Sequence, residues 1–107
     1  MPNDTPDPAE SVRDLLDAHN AAPYPPELSG GDEVAGVALV MLDADIAGLA
    51  AAYVGTGGAL RADQWFTLRE SLADARAVMP HLTGDAWVYF GRLYMLARAM
   101  LKTAPEA

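Results

Sequence analysis

The longest apolar run in the chain, VAGVALVMLDADIAGLAAAYV over residues 34–54, is interrupted only by Asp43 and Asp45. At 100° per residue, Leu39, Leu42, Ile46, Leu49 and Tyr53 fall into one stripe, with the two acids on its opposite flanks. The reverse side carries Gly36, Ala44, Gly48 and Ala51, small enough for another backbone to approach, beside Val40 and Met41. The pattern predicts a helix from residues 31–33 to Val54, buried on both sides, with the acids at its seams. A membrane span is excluded. Each Asp at the centre of a span costs about 3 kcal/mol, and no Lys or Arg flanks the run before Arg61.

The rest of the chain reads the same way. Asp7 and Pro8 make a helix start, as N-cap and first helical residue, and the helix runs to about Asn20 on a narrow stripe of Val12, Leu15, Leu16 and Ala18. AAPYPPELSGG (21–31) cannot be helical, because three prolines remove donors and bias their predecessors to extended geometry. It reads as a strap anchored by Tyr24 and Leu28. Ser29 or Asp32 can cap the apolar helix, and GTGG (55–58) stops it, with Gly55 suited to a left-handed cap. A third helix, from about 62 to 79, buries Trp65, Leu68, Leu72, Ala75 and Met79 and ends at Pro80. A fourth opens with Thr83 as cap and runs to about Lys102, burying Phe90, Leu93, Ala97 and Met100, with Tyr89, Leu96 and Leu101 widening the face. No strand pattern or repeat stands out. The predicted fold is all-α, an antiparallel bundle of three core helices closed by a short N-terminal helix and its Pro-rich strap. Residues 7–102 read as one domain, and 1–6 and 103–107 as disordered ends.

Charge sharpens the picture. The net charge of −8 is uneven: residues 1–45 hold ten acids and one base, residues 46–107 five acids and six bases. Nucleic-acid binding needs clustered cations, so no nucleic-acid partner is expected, nor an anionic membrane surface. The chain has no cysteine, which removes disulfides, thiol nucleophiles and thiolate metal sites. Its first residues lack a basic segment followed by an apolar one, so no signal peptide is expected and the expected location is cytoplasmic.

Two residue sets follow from the helix registers. Folding the third and fourth helices back along the second brings Arg69, Arg76 and Arg92 within a turn of Asp43 and Asp45, so ion pairs are expected at this polar seam. The outer face of the fourth helix is not cleanly polar: Val88, Met95 and Ala99 interrupt it beside Gly91. These four are candidate interface residues. The hydrophobic fraction of 51% exceeds what one small core needs, and a homodimer is expected. Trp65, Trp87, Phe90 and Tyr94 are candidate pocket aromatics, with core as the competing reading.

Catalytic patterns are missing. His19 and His81 have no Glu or His at helical metal-ligand spacing, the serines lack a nucleophile-elbow context, and GTGG lacks the Lys-Ser/Thr of a phosphate loop. No catalytic residue, cofactor or metal is assigned.

VALVMLDADIAGL, GGALRADQWFTLRESLADARAVMPHLTG and YFGRLYMLA together resemble small uncharacterised all-helical proteins of actinobacteria. The resemblance covers about residues 30–100, implies the helical fold and carries over no site residue. The function expected from the sequence is that of a small, non-catalytic, self-associating interaction or regulatory protein. The alternatives are an acidic inhibitor or immunity-type protein binding a basic partner, and a small enzyme or ligand binder with an aromatic pocket between helices.

Overall fold

A computed structural model of the chain describes residues 7–28 and 31–105. The disorder expected for 1–6 and 106–107 and the cap expected from Ser29 lie outside the described residues. Among the described residues four helices form an all-α bundle: α1 (Pro8–Ala21), α2 (Leu39–Gly55), α3 (Ala62–Val78) and α4 (Gly84–Leu101), with a 3₁₀ turn over Met79–His81. Both α2 and α4 touch every other helix, so α1 and α3 lie on opposite sides of the α2–α4 pair. Among the described residues no helix is long and apolar enough to cross a membrane.

The start of the apolar run departs from the pattern. Glu33–Val34 (β1) and Val37–Ala38 (β2) pair antiparallel, Val34 opposite Val37, and helix α2 begins only at Leu39. The turn residues Ala35 and Gly36 both have positive φ, 52° and 76°. That is the two-residue hairpin turn whose twist matches the strands it joins. Gly36 takes this conformation freely and the β-branched valines suit the strands. The Leu39 amide donates to the Asp32 carbonyl at 3.1 Å, so Asp32 closes the hairpin instead of capping a helix.

Helix α2 is also buried on one side only. Its stripe of Leu39, Leu42, Ile46, Leu49 and Tyr53 forms the centre of the core, whereas Ala44, Gly48 and Ala51 are exposed and Met41 is 59% exposed. α1 adds Val12 and Leu16 to the core, α3 adds Trp65, Leu68, Ala75 and Val78, and α4 adds Phe90, Leu93, Leu96, Ala97 and Met100.

The helix ends are held by specific donors and acceptors. Asp7 accepts from the Ala9 amide at 3.0 Å, the cap read from the sequence. Thr83 occupies the N-cap position of α4 but makes no side-chain cap bond. Glu27 of the strap replaces it, its Oε1 accepting from the Ala86 amide at 2.9 Å. The left-handed residues after α2 are Gly57 and Gly58 instead of Gly55. A Cβ on Gly58 would stand 3.4 Å from the Tyr53 ring. Thr103, read as part of a loose end, closes the bundle: its hydroxyl lies 2.8 Å from that of Tyr53 and donates to the Met100 carbonyl at 2.8 Å.

Candidate functional site

Two features stand out on α4, one inside the bundle and one on its surface. The inner one gathers His19, Asp43 and Tyr89 from three helices. His19 continues the buried stripe of α1, at i, i+4 and i+7 with Val12 and Leu16, and is 4% exposed. Its Nε2 lies 2.7 Å from Asp43 Oδ1. Tyr89 donates its hydroxyl to Asp43 Oδ2 at 2.6 Å. An ionised carboxylate only accepts, so His19 carries its proton on Nε2. Its Nδ1 is buried and has no partner among the described residues. The His19 ring lies against Tyr89 with centroids 4.7 Å apart, and Tyr24 of the strap meets Tyr89 edge-on at 5.4 Å. Burial first, then the Asp43 carboxylate that its hydroxyl bonds, holds Tyr89 well above the usual phenol range. Tyr24 is raised as well, chiefly by burial and then by the charge of Asp43.

This corrects the expected seam. Asp43 pairs with His19 and Tyr89, not with an arginine. Asp45 is exposed, as are Arg69 and Arg76. The Arg–carboxylate pair seen is Arg61–Asp63 at 3.0 Å, on the surface and away from both Asp43 and Asp45. α1 covers the flank of α2 that carries Asp43, and Arg76 and Arg92 edge the face of α4 that points away from α2.

That outer face holds the second feature. Between α1 and α3 a trough of about 590 Å³ runs over α4, lined by Leu15 of α1, by Arg76, Met79 and Pro80 on the α3 side, and by Trp87, Val88, Gly91, Arg92, Tyr94 and Met95 of α4. A second hollow of about 280 Å³ shares Leu15 and Met95 with it and continues past Arg98 and Ala99 to Lys102. Under the strap a third, of about 240 Å³, shares Val88 and Arg92 and includes Asp85. The lining is apolar and open: Trp87, Val88 and Met95 are 53%, 50% and 56% exposed. Gly91 keeps the floor low, since a Cβ there would already touch the Met79 methyl at 3.4 Å. Among the described residues no carboxylate lines the trough or its continuation, while Arg76, Arg92, Arg98 and Lys102 do. Arg76, beside the Tyr94 hydroxyl, is the main influence lowering Tyr94 below the usual phenol range. The Arg98 guanidinium sits 5.7 Å from the Tyr94 ring centroid.

The trough collects the sequence-level candidates selectively. Val88, Gly91, Met95 and Ala99 all line it or its continuation. Of the four candidate pocket aromatics, Trp87 and Tyr94 do so. Phe90 is wholly buried, and Trp65 is a core residue against Tyr53, with centroids 6.4 Å apart. No group of three or more His, Asp or Glu among the described residues is arranged to hold a metal ion. Comparison of the chain with known protein families, with curated proteins and with solved structures finds no match.

Proposed function

We propose that the protein is a non-catalytic interaction module whose trough along α4 receives an apolar segment of a protein chain. The observation that carries this reading is the alignment of Trp87, Val88 and Met95, large apolar side chains half exposed on one recessed face. Isolated exposed apolar residues are ordinary, but a contiguous concave set marks a binding surface. The polar cluster supports the non-catalytic part. Both oxygens of Asp43 are taken by protein donors, and His19 sits behind Tyr89 with almost no surface. A general base needs reach to its substrate.

The test is site-specific photo-crosslinking in the source cells. A photoreactive residue at Met95 is expected to trap a discrete protein adduct that one at exposed Asp74 does not. Equal labelling at both positions, or none at either, contradicts the reading. A second copy of the chain and a different protein are the two occupants to separate, and the mass of the adduct separates them.

A further inference from the structure

We propose that the occupant of the trough is an amphipathic helix of another protein, acidic along the flank that meets α3. The inference rests on the interaction-module reading and deepens it. Length comes first. From Trp87 to Lys102 the continuous lining covers fifteen residue steps of α4, about 22 Å at 1.5 Å per residue. A small amphiphile would fill a fraction of that, whereas a helix of about four turns, with apolar anchors at i, i+3/i+4 and i+7, fills it along its length.

Charge selects the partner. In a chain of net charge −8, the charged groups among the described residues that line the trough and its continuation are all cations. An isologous pairing of two copies on this face would bring like rims together, and a two-fold interface has to be self-complementary. The homodimer expected from the sequence therefore has the wrong charge for its best apolar face. The field is also unequal across the trough. Two of the four cations, Arg76 of α3 and Arg98 over the Tyr94 ring, stand together at Tyr94 on the α3 side, whereas Arg92 lies where the trough meets the strap hollow that also holds Asp85 and Lys102 ends the continuation. On the α1 side stands Leu15, and the exposed charges of that helix are Glu10, Arg13, Asp14 and Asp17. A partner helix is best accommodated with carboxylates towards Arg76 and Arg98 and neutral or basic residues towards α1.

A pair of synthetic helical peptides of fifteen residues tests this. Both carry a leucine stripe, one with Glu along one flank and Lys along the other, the second with Lys on both flanks. Binding is followed by fluorescence anisotropy at low and high salt. The Glu-flanked peptide is expected to bind the wild-type chain and to weaken with salt. Arg76→Glu is expected to weaken it about fivefold and to improve the all-Lys peptide. Met95→Glu, with wild-type circular dichroism, is expected to weaken the Glu-flanked peptide about tenfold or more, because it places a charge in the apolar floor. Equal affinity for both peptides, or indifference to Arg76→Glu, overturns the inference while leaving the interaction reading standing. If neither peptide binds and light scattering shows a dimer that Met95→Glu dissociates, the occupant is a second copy and the inference is overturned. If Met95→Glu changes neither peptide binding nor mass, the trough reading itself falls.

Discussion

His19 and Asp43 are separated by 24 positions in the chain and by 2.7 Å in space. One lies on α1 and the other on α2, and with Tyr89 of α4 bonded to the second carboxylate oxygen they tie three helices at one point. The bond is directional where the surrounding core is not. It fixes which face of the acidic α1 docks, and so positions Leu15 at the edge of the trough.

Removing the carboxylate tests that tie. Asp43→Ala leaves the His19 N–H and the Tyr89 O–H without acceptors in a largely buried site, at about 2–4 kcal/mol in total. Asp45→Ala, on the exposed flank, is expected to fall within about 0.5 kcal/mol of wild type. Urea melts of the two variants check this, and equal midpoints contradict it.

The raised phenols predict an alkaline stability loss. A folded-state pKa above the ordinary value of 10.0 for Tyr89 means that the folded chain holds its proton where the unfolded chain has released it. Stability is therefore intact below pH 10 and falls as pH rises towards the folded value. Thermal melts across that range are expected to decline in wild type. In Tyr89→Phe they start lower and decline less steeply. Tyr24 shares the direction of shift, so some slope persists in the variant. An unchanged slope contradicts the assignment.

Glu27 capping α4 from the strap predicts a long-range effect. Glu27→Ala removes the acceptor for the Ala86 amide, and losing a cap costs about 1 kcal/mol. The Ala86 amide is expected to lose hydrogen-exchange protection, whereas Thr83→Ala, which removes no side-chain cap bond, leaves it protected. The opposite ranking contradicts the exchange of roles.

The hairpin before α2 carries a local strain that substitution relieves. Ala35 sits at φ 52°, a conformation that costs a residue with a Cβ roughly 1–2 kcal/mol. Asn is favoured in that position of a two-residue turn, so Ala35→Asn is expected to raise the melting temperature. A lower value contradicts the turn geometry.

Much of this was legible from periodicity. The stripe Leu39, Leu42, Ile46, Leu49, Tyr53 is the core, and Val88, Gly91, Met95 and Ala99 do break the polar face of α4. The hairpin was hidden because VAGVA reads equally as helix or strand by apolar content, and the decision rests on two positive φ values. The Asp43 partner was missed because longitudinal register says nothing of which neighbour covers a flank. His19 had a signal, its place at i+7 from Val12 and i+3 from Leu16, but reading Leu15 and Ala18 as the stripe masked it. Strap capping of α4 joins residues 59 apart in sequence, and no local pattern encodes that pairing.

The claim that the trough is the binding surface is tested most directly by amide chemical-shift mapping with the Glu-flanked helical peptide. The account predicts shifts concentrated at Leu15, Trp87, Val88, Gly91, Met95 and Arg98, with the exposed Ala44, Gly48 and Ala51 side of α2 unmoved. Shifts centred on that side of α2, or none anywhere at saturating peptide, would contradict it.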